Sequence, residues 1–169
     1  MGHEVEIRDS SDVPGGMMRY GIPEYRLPRN VLDAEVARLL DLGVRIVNNY
    51  TVKDLMADQA EGGFEATFVA IGAHLSKRVD IPNRDASKIV DAVTFLRDVA
   101  SGERPLIGRK VAIYGGGNTA MDAARVARRL GHAPLIVYRR DYAHMPAHHF
   151  EADDAMAEGI DRVGAAAER

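Results

Sequence analysis

The stretch Val111-Ala112-Ile113-Tyr114-Gly115-Gly116-Gly117-Asn118-Thr119-Ala120 leaves a chain few ways to fold. A short apolar run predicts a strand, the glycines predict a tight turn, and Met121-Asp122-Ala123-Ala124-Arg125-Val126-Ala127 continues with helical spacing. Gly115, Gly117 and Ala120 fit the pattern G-x-G-x-x-G/A, and each position has a mechanical reason. The first glycine permits a sharp exit from the strand, the second lets a pyrophosphate approach bare backbone, and the alanine keeps the helix close to the sheet. Unpaired N–H groups at the helix start, aided by the helix dipole, then face the anion. A glycine turn of this kind also occurs without any ligand, so its context has to decide.

Gly131 ends the helix, and Ala133-Pro134-Leu135-Ile136-Val137-Tyr138 predicts the next strand, closing in Arg139-Arg140. In a dinucleotide-binding fold the end of this strand meets the adenosine ribose. An acid there suits a free 2′-hydroxyl, whereas two guanidinium groups suit a 2′-phosphate, which they grip by forked, charge-assisted hydrogen bonds. Arg139 and Arg140 therefore favour NADP over NAD, the alternative being a solvated pair at a strand end.

The chain has 169 residues, 46% of them hydrophobic, enough for one medium domain or two small ones. A formal net charge of −3 with scattered basic residues argues against nucleic acid as a partner. With no cysteine, the chain cannot ligate an iron–sulfur cluster through thiolates or carry a redox-active dithiol. No apolar run has membrane-spanning length and the start lacks a signal-peptide pattern, so the expected compartment is the cytoplasm.

Gly2-His3-Glu4-Val5-Glu6-Ile7-Arg8-Asp9 repeats the design of residues 131–140: Gly-His, an apolar strand, then a charge. Asp9 then stands either at the ribose position of another nucleotide site, one with a free 2′-hydroxyl, or in an ordinary turn before Ser10. Pro14-Gly15-Gly16-Met17-Met18 reads as a loop able to lie along a cofactor, its methionines being packing residues. A helix capped by Asn30 is expected to bury Leu32, Val36, Leu39 and Leu40 and to stop at Gly43. Val44-Arg45-Ile46-Val47 reads as a short strand. A polar connection leads to a further strand over residues 64–73, in which Gly72 brings backbone close to a cofactor or a neighbouring strand.

Residues 75–88, with Pro82, read as a crossover that holds the domain boundary, giving domains 1–88 and 89–169. Asp91 is expected to cap a helix through Phe95 and Leu96. His144, His148 and His149 read as exposed loop histidines rather than metal ligands, a short polar helix is expected from Glu151, and the chain past Gly159 is weakly patterned.

Pro14-Gly15-Gly16-Met17-Met18-Arg19-Tyr20-Gly21-Ile22-Pro23 with Tyr25-Arg26-Leu27-Pro28 resembles the NADPH-dependent glutamate synthase small subunit. Val69-Ala70-Ile71-Gly72-Ala73, Gly115-Gly116-Gly117-Asn118-Thr119-Ala120-Met121-Asp122 and Tyr138-Arg139-Arg140-Asp141 with Met145-Pro146 extend that resemblance. It implies an α/β fold of two nested Rossmann-like dinucleotide-binding domains, both incomplete, with a partial FAD domain before a partial NADP domain. The family's cysteine-rich leading region, the FAD glycine turn and the closing strands would lie outside this chain. The resemblance further implies that NADPH passes hydride to FAD and that electrons continue to a partner subunit of iron–sulfur or glutamate synthase large-subunit type. By position, Asp9 would meet the FAD ribose, Gly15, Gly16 and Met17 would lie along the flavin, and Gly72 would form the second FAD turn. Gly115, Gly117, Asn118, Thr119, Arg139 and Arg140 would hold NADPH. The flavin does the chemistry in such proteins, so no side chain is nominated as acid, base or nucleophile. The rival expectation is an NADP(H)-binding fragment or interaction module without turnover.

Overall fold

The computed structural model describes residues 2–75 and 89–164 of the chain. It divides into two compact units, Met1–His74 and Leu75–Arg169. The expected crossover falls almost wholly on residues 76–88 and the end of the chain on residues 165–169, both outside the described residues.

In the second unit, α4 (Ala92–Ala100) begins at Asp91, whose Oδ1 accepts the N–H groups of Val93 and Thr94, each at 3.0 Å. The carboxylate satisfies two helix-start donors, and the apolar stripe behind it buries Phe95 and Leu96. There follow β3 (Lys110–Tyr114), α5 (Asn118–Arg129), β4 (Ala133–Val137), a 3₁₀ turn at Tyr142–His144, α6 (His149–Ala157) and β5 (Asp161–Val163). The strands are parallel in the order β3-β4-β5, with Tyr114 opposite Val137 and Val137 opposite Val163. Parallel neighbours require a crossover between them, supplied by α5 and α6. Alanines make the layers close: Ala120, Ala124, Ala152 and Ala155 pack with Met121, Ile136, Met145, Ala147 and Ile160 in one cluster.

β5 arises in a region with no strand pattern. Its three residues, Asp-Arg-Val, carry no apolar alternation, but Ile160 just before them is buried in the core and delivers the chain to the open side of β4.

The first unit comprises β1 (Glu6–Arg8), α1 (Gly16–Tyr20), α2 (Arg29–Asp41), β2 (Arg45–Val47) and α3 (Leu55–Glu61). β1 and β2 pair in parallel, Glu6 opposite Arg45 and Arg8 opposite Val47. Arg8 ties α3 to this sheet: its guanidinium bonds Glu6 Oε1 at 2.7 Å and Asp58 Oδ2 at 2.5 Å and lies over the rings of Tyr50 and Phe64.

Several expectations change here. Residues 16–18, expected as the end of a loop from Pro14, instead open α1, whose Tyr20 is buried with its hydroxyl donating to Asp12 Oδ1 at 2.6 Å. Met18, expected to pack, is 52% exposed. Asn30 does not cap α2: the cap is Pro28, whose carbonyl receives the Val31 N–H at 3.1 Å and whose ring fixes the entry angle, so Asn30 falls inside the helix. Of the expected stripe only Leu32 is buried, while Leu39 and Leu40 are exposed. The polar connection contains α3, capped by Asp54 through Met56 and Ala57.

Residues 64–73 form no strand. Phe64 packs on Arg8, but Phe68 and Ile71 stand 91% and 80% exposed. Aromatic and β-branched residues suit a buried strand, yet a strand also needs neighbours for its backbone groups, and among the described residues β1 and β2 pair only with each other.

Candidate nucleotide-binding site

The glycine turn leaves the sheet where β3 ends. Parallel register makes it a neighbour of the chain leaving β4, because Tyr114 opposes Val137 and the Gly115 N–H donates to Val137 O at 3.0 Å. The three glycines serve three different purposes. Gly115 has φ +152, and an added Cβ would lie 3.4 Å from that of Ala120. At Gly116 a Cβ would come within 2.6 to 2.9 Å of the Tyr138 ring, so the middle glycine, which the fingerprint does not require, is needed for packing. Gly117 caps α5 with φ −93, and a Cβ there would meet nothing within 4 Å. Neither backbone strain nor packing among the described residues calls for glycine at that position, which suits close approach of a ligand to the backbone.

Beyond Gly117, the amides of Ala120 and Met121 donate to Gly117 O. Those of Asn118 and Thr119, in the first turn of a 12-residue helix, are orphan donors among the described residues, at the positive end of its dipole. Asn118 is half-buried and Thr119 exposed. Arg139 and Arg140, which follow Tyr138 just past β4, are exposed and make no side-chain hydrogen bond or ion pair among the described residues.

Residues 138–148 return to the turn and are fastened to it. The Tyr138 ring lies on Gly116 while its hydroxyl donates to His144 O at 2.9 Å. The Ala147 N–H donates to Gly116 O at 2.9 Å, and the His148 N–H donates to Asn118 Oδ1 at 3.0 Å. Sequence reasoning missed these main-chain partners; the third glycine was the available signal that something approaches the turn. The histidines do not converge: His144 pairs with Asp141, His148 stacks on Phe150, and His149 lies against Tyr142.

Behind the turn, α5 and α6 are joined by charge. Arg125 bonds Glu158 Oε1 at 2.6 Å and lies 3.2 Å from Asp154 Oδ2 and 3.7 Å from Glu151 Oε2, and Arg129 also bonds Glu158. Glu151 is 2% exposed. Partial burial works to raise the pKa of Glu158, but the hydrogen bonds from Arg129 and Arg125 outweigh it and hold the carboxyl below its ordinary value.

In the first unit Asp9 is half-buried just past β1, its Oδ1 accepting the Ser11 N–H at 2.9 Å in a local turn. Gly15, with φ +130, caps α1, Gly16 has φ +50, and Met17 follows half-buried. Gly72 has φ +69 within an exposed segment that belongs to no helix or strand. Among the described residues no hydrogen bond joins Asp9, the Gly15–Met17 corner and Gly72 to one another.

A family model described as pyridine nucleotide-disulphide oxidoreductase matches residues 6–164. The chain belongs to that family. The chain is 42% identical over 164 residues to the NADP(+)-dependent formate dehydrogenase subunit beta of Moorella thermoacetica, covering 94% of this chain and 23% of that protein. It is 33% identical over 181 residues to the putative glutamate synthase [NADPH] small chain of Cereibacter sphaeroides, covering 99% of this chain and 43% of that protein. The chain thus spans less than half the length of these curated relatives. A solved 2-naphthoyl-CoA reductase in complex with 2-naphthoyl-CoA shares the fold, with a TM-score of 0.78 and 20% identity over 97% of this chain and 24% of that one. The α/β class and the likeness to the glutamate synthase small chain expected from the sequence both hold. Among the described residues no helix is long and apolar enough to cross a membrane.

Proposed function

We propose that this chain is the nucleotide-binding part of an NADPH-dependent flavin oxidoreductase of the glutamate synthase small-subunit type. The observation that carries the reading is the turn at Gly117: glycine stands where neither φ nor any neighbour among the described residues calls for one, beside the orphan amides of Asn118 and Thr119. Gly115, Gly117, Asn118 and Thr119 hold the pyrophosphate, and Arg139 and Arg140, exposed beside the same turn, hold the 2′-phosphate. The relatives named for NADP(+) and NADPH support that choice of nucleotide.

Asp9, Gly15, Gly16, Met17 and Gly72 are assigned to FAD, and the glycines' positive φ angles suit backbone that a cofactor approaches closely. Held by these residues, NADPH and FAD would supply hydride-transfer chemistry, whose two electrons would pass on to a partner subunit. The division into a partial FAD domain over residues 1–88 and a partial NADP domain over residues 89–169, and a cytoplasmic location, belong to the same proposal.

A second reading, NADP(H) binding without turnover in the isolated chain, is favoured by the exposure of Phe68 and Ile71 beside the assigned Gly72. The visible spectrum of the chain, incubated with FAD and freed of excess, separates the two. Retained flavin bands that bleach on adding NADPH support the oxidoreductase; a chain that binds NADPH but keeps no flavin supports the second reading. Absence of NADPH binding removes both.

A further inference from the structure

We infer that the main chain of His148 sets the amide orientation of Asn118, so that the loop before α6 is a positioning element of the nucleotide site. The inference rests on the NADP(H) reading above. A backbone N–H can only donate, so the 3.0 Å bond from His148 N fixes Asn118 Oδ1 toward the loop and turns Nδ2 away from it. Asn118 is the first residue of α5, so its NH₂ group joins the first-turn amides as a further donor for an anion lying over Gly117.

The loop is built to hold that donor still. Ala147 is buried and donates to Gly116 O at 2.9 Å, one residue before the contact with Asn118. His148 caps α6, which is docked on α5 through Arg125 and the buried Glu151. Without the loop the amide would rotate between two orientations, one of which turns a carbonyl oxygen toward a phosphate.

Two variants of the full chain separate positioning from general support. Asn118→Asp still accepts the His148 N–H, and an acid in the first turn favours α5, but the NH₂ donor is replaced by a negative charge. His148→Pro removes the N–H, together with the imidazole that stacks on Phe150, at a residue whose φ of −60 a proline adopts. Binding of NADPH and of adenosine 2′-monophosphate, which has no pyrophosphate, is titrated for each variant alongside thermal unfolding.

The expected result for Asn118→Asp is a thermal midpoint at or above wild type, with NADPH affinity down about tenfold or more. His148→Pro is expected to weaken NADPH roughly three- to tenfold. Adenosine 2′-monophosphate should bind both variants as it binds wild type. Wild-type NADPH affinity in either variant, or parallel loss of both ligands, overturns the inference while leaving the nucleotide site in place; no NADPH binding by the wild type overturns the site itself. If the proline variant does not fold, the ¹H–¹⁵N signals of the wild-type chain decide. NADPH should shift the Asn118 side-chain NH₂ while the His148 N–H stays protected from exchange, and an unshifted NH₂ or an unprotected N–H overturns the inference.

Discussion

Replacing the three turn glycines by alanine one at a time should give three different results. At Gly116 the new methyl meets the Tyr138 ring at 2.6 to 2.9 Å, well inside contact distance. The ring cannot swing away without giving up its hydroxyl bond to His144 O, so an overpacking cost of about 1–3 kcal/mol is expected. At Gly115 the methyl has room, but φ +152 lies in the region that side chains avoid, and a strain of about 1–3 kcal/mol follows. At Gly117 neither applies. Lower entropy of the unfolded chain contributes about 0.4–1 kcal/mol in favour of alanine, and the poorer N-cap takes back about the same, so stability should stay within about 0.5 kcal/mol of wild type. Yet a Gly117 methyl would enter open space beside the turn to which the pyrophosphate is assigned, and NADPH affinity should fall by about tenfold or more, roughly 1.4 kcal/mol. Urea unfolding and NADPH fluorescence titration on the three variants supply both numbers. A Gly117→Ala chain that binds NADPH like wild type would falsify the assignment of the anion to this backbone. One that unfolds as easily as Gly116→Ala would refute the reading of the open space.

The arginine pair offers the test of nucleotide choice: Arg139→Gln with Arg140→Gln should weaken NADPH roughly thirtyfold or more and leave NADH nearly unchanged, measured side by side by fluorescence. Equal losses for the two nucleotides would remove the 2′-phosphate from these side chains. Arg125→Met removes the guanidinium shared by the buried Glu151, Asp154 and Glu158 and should cost about 3 kcal/mol by chemical denaturation, whereas a loss of under about 1 kcal/mol would mean that the α5–α6 ion network contributes little. Glu158 has a folded pKa below its ordinary value, so its pairing stabilises the fold fully above about 4.5, the unfolded value, and is lost as the pH falls through the folded one. Between pH 5 and acid unfolding, the melting temperature of Glu158→Gln should therefore fall less steeply than that of wild type; parallel slopes would contradict the assignment.

What the sequence made legible was set by how local each cause is. The β3–turn–α5 unit could be read because glycine spacing, the alanine stripe and the C-terminal Gly131 all act within a few residues of one another. Asp91 was legible as a cap for the same reason; Asp54 carried an equal signal, overlooked within a polar stretch. β5 had no local signal, since its place is decided by burial of Ile160 and by the vacant side of β4. Residues 64–73 failed in the opposite way. Their composition reports a buried environment, but environment is a property of neighbours, and the neighbours within the described residues leave Phe68 and Ile71 in solvent. The fastening of Ala147 and His148 to the turn was invisible because main-chain donors have no residue type to betray them.

The repeated Gly-His strand carries further than a likeness of letters. β1 pairs in parallel with β2 just as β4 pairs with β5, three residues against three. The next residue then makes the same bond in each: Asp9 N–H to Val47 O at 3.0 Å, and Tyr138 N–H to Val163 O at 3.1 Å. Matched by that bond, Asp9 corresponds to Tyr138, and Arg139 lies one residue further along. The offset suits the two chemistries assigned to the strand ends. A short carboxylate close to the sheet accepts from a ribose hydroxyl, whereas a 2′-phosphate extends beyond the sugar and is met by a longer side chain set one residue outward. Moving the acid outward should therefore not restore what its removal costs: with the flavin bands as readout, Asp9→Ser combined with Ser10→Asp should retain no more FAD than Asp9→Ser alone. Recovery of flavin by the double variant would show that the backbone position of the acid is immaterial and would break the equivalence of the two strand ends.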